Sequence, residues 1–198
     1  CIYGSDVISR IEAAEKGDLF RLTELIRRDI EKGIGILSQG LKSKPVKICI
    51  AANTTMIYLL MGYPCKVLAS YPFSPVVTEP VLVDGGDLFG EFLREISVMI
   101  VPGISAFVGA DIVSGLYNAD CLNTETPFLY LDLGTNGEMA IGNGKKLMVA
   151  STAAGPAFEG GNISCGTGSI EGAICSVSIA HHMPVVKTIG GKDPVGIC

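Results

Sequence analysis

The sequence predicts an α/β fold, and three features carry that expectation. Apolar residues recur at three- and four-residue steps in the first third, short apolar runs alternate with helical stretches through the middle, and a hairpin meander begins at Pro127. The change of character places a boundary between residues 118 and 126, which gives two expected parts, 1–122 and 123–198. A chain of 198 residues, 48% of them hydrophobic, is long enough to bury a real core in one large domain or two small ones.

The elements follow in order. A short helix is expected from Asp6 to Glu15. Leu19, Leu22, Ile26, Ile30, Ile34 and Leu37 then form an apolar stripe, with Arg21, Glu24, Arg27, Arg28 and Glu31 on the other face and Asp18 as the N-cap. Pro45 ends that pattern, residues 46–51 read as a buried strand, and Asn53 caps a helix that Gly62 and Pro64 stop. The prolines between Tyr71 and Pro80 make an irregular connection. A helix from Leu88 to Ile96, capped by Asp87, leads to a strand over residues 98–101. Ser105 is expected to cap a helix that runs to Leu116. In the second part the strands are 128–132, 138–141 and 147–150, with the hairpin signal Asn143-Gly144 between the last two. Two further strands are expected over 169–177 and 185–189.

Charge and cysteine usage narrow the function classes. A net charge of −5, with basic residues only in small groups such as Lys42, Lys44 and Lys47, excludes a nucleic-acid surface. No apolar run approaches the roughly 20 residues of a spanning helix, so no membrane passage is expected. Seven scattered cysteines without a C-x-x-C pair favour free thiols in a reducing compartment, and hence a cytoplasmic protein. The chain opens on Cys1 rather than Met, which points to a segment of a longer polypeptide.

The most informative stretch is Leu131-Asp132-Leu133-Gly134-Thr135-Asn136-Gly137-Glu138. A strand delivers the Asp132 carboxylate to its end and then turns tightly, with Gly134 and Gly137 expected to supply positive φ angles or close backbone approach. Two readings stand: a phosphate-facing turn with Asp132 beside hydrated Mg²⁺, or an ordinary hairpin with a polar tip. Gly155, Gly160 and Gly161 belong to a glycine-rich stretch that either closes over phosphate or packs two elements together. Asn53 and Thr54 read as a helix cap. Asp111, set in an apolar helical run, either reaches a cleft or meets a basic partner, and the cleft is the favoured reading. His181-His182 reads as a polar loop, since adjacent residues do not point at one metal.

Taken together, the motifs resemble the C-terminal ATPase region of the reductive activators of corrinoid proteins. These are iron–sulfur ATPases of the superfamily that holds sugar kinases, heat-shock chaperones and actin. The matching stretches are Tyr3-Gly4-Ser5-Asp6-Val7-Ile8-Ser9-Arg10-Ile11, Asn53-Thr54-Thr55-Met56, Pro102-Gly103-Ile104-Ser105-Ala106-Phe107-Val108-Gly109-Ala110-Asp111-Ile112, Asp132 to Glu138, and Ser151-Thr152-Ala153-Ala154-Gly155-Pro156-Ala157-Phe158-Glu159-Gly160. They come in the family's order and span nearly the whole chain.

The resemblance implies two ribonuclease-H-like lobes of the actin-like ATPase superfamily, incomplete at both ends. Residues 1–122 would be the remainder of the first lobe and 123–198 the start of the second. It makes Asp132 the catalytic carboxylate, holding Mg²⁺ through water, and Gly134, Thr135, Asn136 and Gly137 the phosphate hairpin. Gly155, Gly160, Gly161 and Asp111 join them as expected nucleotide contacts. The implied activity is ATP hydrolysis coupled to electron transfer, returning Co(II) corrinoid proteins to Co(I) with a 2Fe-2S cluster that lies outside this chain. The implied partner is a corrinoid protein, and a homodimer is compatible with the reading. A small-molecule kinase of the same superfamily and a non-catalytic docking module are the alternatives.

Overall fold

The helical first third is built in two pieces, α1, Val7–Ala13, and α2, Leu19–Leu37. The computed structural model describes residues 7–41, 45–74, 77–154 and 163–198. It divides into two compact units, one of Cys1–Pro127 with Asn143–Lys146 and one of Phe128–Gly142 with Leu147–Cys198. Among the described residues, no helix is long and apolar enough to cross a membrane.

In the first unit, a π-turn, Ala14–Asp18, joins α1 to α2, and Gly17 absorbs the kink at φ 110°. Asp18 takes the expected N-cap position of α2, with φ −86° and ψ 6°, but its side chain makes no capping hydrogen bond. Most of the predicted stripe faces inward: Leu22 is buried, and Leu19, Ile26, Ile30 and Ile34 pack against the core, whereas Leu37, at the helix end, is exposed. β1, Lys47–Ile50, leads into α3, Thr54–Met61. The Asn53 Oδ1 accepts the Met56 N–H at 2.9 Å, and Gly62 closes the helix in the left-handed region at φ 73°. The Arg27 Nε donates to the Leu60 carbonyl at 2.8 Å, meeting one of the acceptors that a helix end leaves open. A short helix α4, Lys66–Ala69, precedes the proline-bearing connection.

The next segment departs from expectation. Residues after Pro80 form a strand, β2, Val81–Asp84, followed by a short helix α5, Gly85–Phe89, a 3-10 turn, Glu91–Leu93, and β3, Ser97–Ile100. One helix from Leu88 to Ile96 capped by Asp87 is thus not what forms. Asp84 is the cap: its Oδ1 accepts the Gly86 N–H at 2.8 Å and its Oδ2 the Glu95 N–H at 2.9 Å, folding the segment back on itself. The sheet order is β1-β3-β2, with β1 parallel and β2 antiparallel to β3. Tyr58, Leu60, Leu93, Val98 and Ile100 are fully buried around it, each contributing roughly 1.5–3 kcal/mol of apolar burial. The last helix, α6, Ala110–Asn118, starts four residues later than the Ser105 cap would place it. Ser105 instead bridges to Val108, accepting the Phe107 N–H on its Oγ at 3.4 Å.

The second unit begins with the meander. β4, Phe128–Leu133, β5, Asn136–Gly142, and β6, Leu147–Ala153, form an antiparallel sheet in that order. Asn143 organises the second turn by accepting the Lys145 and Lys146 N–H groups on its Oδ1 at 3.3 and 3.1 Å, and Gly144 takes φ 75°. A second sheet has the order β8-β7-β9. Its strands are β7, Ala173–Ala180, β8, Met183–Thr188, and β9, Gly196–Ile197. β7 starts later than the expected Ser169 because Gly172, at φ 83°, still belongs to the preceding turn. His181 and His182 form the two-residue turn between β7 and β8, both with left-handed backbones at φ 50° and 64°.

Candidate functional site

The β4–β5 hairpin fixes the candidate residues by strand register. Leu133 pairs with Gly137 and Asp132 with Glu138, so Gly134 and Thr135 form the tip. The Gly134 N–H donates to the Asn136 carbonyl at 2.9 Å, and the Ala154 N–H donates to the Thr135 carbonyl at 3.3 Å. The turn thus satisfies its own amide without a side-chain cap.

Neither Gly134 nor Gly137 takes a left-handed φ, which corrects one reason for expecting glycine there. Close approach does not require glycine at Gly137 either, where an added Cβ would meet Thr152 Cγ2 at 3.4 Å and Ala154 Cβ at 3.8 Å, ordinary van der Waals contacts. At Gly134 the nearest atom to an added Cβ is the Asn136 carbonyl oxygen at 3.8 Å, so nothing in the protein crowds that position. The space a side chain would take is left open beside the turn.

Asp132 is exposed, and among the described residues its carboxylate has no hydrogen-bond or ion-pair partner. A carboxylate placed there to cap the turn would hold the Gly134 amide, which goes to Asn136 instead. Mg²⁺ retains several waters and takes one or two carboxylates alongside phosphate oxygens. An exposed strand-end carboxylate next to an uncrowded glycine turn suits that coordination. Thr135 and Asn136 are likewise exposed at the tip.

Glu138 was not among the residues expected at the site. It is half-buried, and its Oε1 accepts the Ser151 hydroxyl at 3.1 Å. The signal was present in the loop lengths, because the turns at 134–135 and 143–146 together set 132, 138 and 151 in one row. Gly155, Gly160 and Gly161 lie outside the described residues.

Asp111 belongs to the first unit, in the first turn of α6. Because α6 begins at Ala110, Asp111 is exposed at a helix N-terminus, where a negative charge is favoured, rather than set in an apolar face. Its Oδ1 accepts the Ile112 N–H at 3.0 Å. Around it, stretches distant in sequence converge. The Ala110 N–H donates to the Ala52 carbonyl at 3.0 Å, Thr54 Oγ1 donates to the Ser105 carbonyl at 3.0 Å, and Arg10 Nη1 reaches Met56 Sδ at 3.1 Å. Asn53 and Thr54 act here as cap and brace. Among the described residues no group of His, Cys, Asp and Glu forms a metal cluster.

Residues 1–123 match the family described as the RACo middle region, and 126–198 match the C-terminal domain of RACo, the ASKHA domain. The chain is similar to the corrinoid activation enzyme RamQ of Eubacterium limosum, at 32% identity over 204 residues, covering 99% of this chain and 34% of that protein. It is also similar to the Co(II) methylated amine-specific corrinoid protein reductase of Methanosarcina barkeri, at 41% identity over 92 residues, covering 46% of this chain and 17% of that one. A solved reductive activator for corrinoid, iron–sulfur protein superposes with a TM-score of 0.79 at 33% identity, covering 100% of this chain and 32% of that structure. The chain spans about a third of the length of RamQ and of that structure.

Proposed function

The chain belongs to the RACo family of reductive activators of corrinoid proteins, with the actin-like ASKHA fold in its C-terminal part, and on that premise we propose that it supplies Mg²⁺–ATP positioning for such an activator. The observation that carries the proposal is the hairpin tip: an exposed Asp132 carboxylate, without a partner among the described residues, beside a glycine turn with open space. Gly134, Thr135, Asn136 and Gly137 line the phosphates, and Asp132 orients the metal's water shell. Gly155, Gly160, Gly161 and Asp111 are assigned to the nucleotide on the family resemblance alone. The naming of 1–122 as the remainder of a first ATPase lobe and of 123–198 as the start of a second rests on the same resemblance, while the boundary itself comes from the change of sequence character between residues 118 and 126.

When bound, Mg²⁺ would neutralise phosphate charge beside Asp132, and a 2Fe-2S cluster outside this chain would supply the one-electron chemistry by which such an activator reduces a partner's Co(II) corrinoid. This chain's own part is to hold ATP in one geometry and its hydrolysis products in another, biasing a conformational equilibrium. The reducing compartment suggested by the free thiols at Cys49, Cys65, Cys121, Cys165, Cys175 and Cys198 supports a cytoplasmic setting.

The test uses Asp132→Ala in the full-length protein, with ATPase rate, corrinoid reduction and melting temperature measured on the same samples. Loss of most turnover and reduction, with little change in melting temperature, is expected. A melting temperature lowered by the equivalent of about 1 kcal/mol with turnover per folded molecule intact would return Asp132 to a structural role.

A further inference from the structure

We propose that the β7–β8 hairpin is a dimerisation element: the outer edge of β7 pairs antiparallel with the same edge of a second copy of this chain, about a two-fold axis at Ser178. The sheet runs β8-β7-β9, but β9 reaches only Ala173 and Ile174. Beyond it, among the described residues, no strand lies along the outer edge of β7 through Ala180, and the hairpin continues as a two-stranded ribbon. Such a ribbon is marginal in water, and lasting stability takes three or more strands over an apolar face. Val177 is 60% exposed and Ile179 79%, so that face is uncovered.

The two edges of the ribbon are built differently. Proline has no N–H, so Pro184 sits in β8 with its nitrogen turned away from β7, which removes a donor from the outer edge of β8. Lys187 adds a charge to the same strand. Proline and lysine are devices that keep exposed edges from pairing. β7 carries neither, and its residues 176–180, Ser-Val-Ser-Ile-Ala, are uncharged. The register shift between Ile174 and Ser176 lies before that run. One edge is protected and the other is left open.

The register selects the partner. Pro184 opposite Ile179 marks a pair without mutual hydrogen bonds, so the Ile179 N–H and carbonyl face the open edge, and by alternation those of Val177 do too. Ser178, between them, turns its backbone groups toward Val185. A two-fold axis at Ser178 sets Val177 opposite the partner's Ile179 and Ile179 opposite the partner's Val177, in two hydrogen-bonded pairs. Each edge thus satisfies its copy, and no charge faces a like charge. Val186, Val177, the partner's Ile179 and the partner's Pro184 then form one apolar row across four strands, with its symmetric mate beside it. The outermost strands of that sheet are the two protected β8 edges, so pairing stops at two copies. A strand pair of this length falls short of the roughly 800 Å² per partner of a standard stable interface, so association should depend on concentration.

Sedimentation of the full-length protein from about 1 to 100 μM should show a monomer–dimer equilibrium. Val177→Pro removes an N–H that the hairpin itself does not use, and should weaken dimerisation by about tenfold or more with unchanged circular dichroism. Ser178→Cys sets two thiols opposite one another across the axis, with Cα atoms about 4.5 Å apart, within disulfide range. Oxidised glutathione should therefore link these dimers through position 178 of both copies, two protein thiols giving one disulfide and two glutathione thiols. Ser176→Cys, which faces the partner's Ala180, should not link to its own copy. Mass spectrometry of the linked peptides reads the register. A full-length protein that stays monomeric throughout would overturn the proposal, because the edge is then covered by residues outside this chain or left for another protein. A dimer that keeps its affinity in Val177→Pro, or that never links at position 178, would overturn it as well by placing the contact elsewhere.

Discussion

Gly134 separates the two explanations of the hairpin at the scale of one residue. Its φ is not left-handed and an added Cβ finds nothing nearer than 3.8 Å, so Gly134→Ala should leave melting temperature within about 1 °C of the original. If phosphate oxygens approach the backbone there, the same methyl should weaken ATP binding on the order of tenfold, which calorimetry on the full-length protein would register. Unchanged affinity would mean that the phosphates lie elsewhere. Cys65 makes a second prediction. Burial, reinforced by the charge of Glu15, pushes its thiol from an ordinary 9.0 up to about 11. Below pH 9 both folded and unfolded chains keep the proton, and above it only the unfolded chain readily releases it. Stability should therefore fall as pH rises from 9 toward 11, and Cys65→Ala, at some cost in packing, should flatten that decline. A Cys65 that is alkylated in the native protein at pH 8 as fast as an exposed thiol would contradict the buried placement.

At the scale of elements, tertiary contacts explain both what the sequence revealed and what it hid. The meander was legible because apolar alternation and the Asn143-Gly144 turn each fix local geometry without help from distant residues. The α2 stripe was legible for the same reason. The helix starts at Asp87 and Ser105 were misjudged because each is a sound local cap signal overruled from afar. Asp84 closes a loop onto Glu95, and the segment before α6 is pinned on α3. Gly109 is where that pinning is tightest: an added Cβ would lie 2.7 Å from Asn53 Cα and 2.8 Å from the Thr54 nitrogen, both backbone. Gly109→Ala should thus cost on the order of 1–3 kcal/mol, more than the roughly 1 kcal/mol expected for removing the cap with Asn53→Ala. Denaturant melts of the two variants would rank them, and the reverse order would mean that the loop yields more easily than its packing suggests. Glu138 was missed for another reason. Its own neighbours in sequence look like a strand start, and only the register across two turns reveals what stands beside it.

For the whole molecule, the second unit presents a sheet with two unlike faces. Asp132, Glu138 and Ser151 lie on one. On the other, Leu129, Leu131, Leu133, Ile141 and Met148 are all more than half exposed. This chain on its own should bind a hydrophobic dye such as ANS in its native state, and Leu131→Lys should reduce that signal while leaving far-ultraviolet circular dichroism unchanged. Dye binding that appears only on unfolding would mean that the face is covered in solution. The alternation that makes the faces unlike also joins them. Asp132 alternates along one backbone with Leu131 and Leu133, so the strand that offers a carboxylate on one side offers exposed leucines on the other, and a substitution at either face is felt by a single short strand.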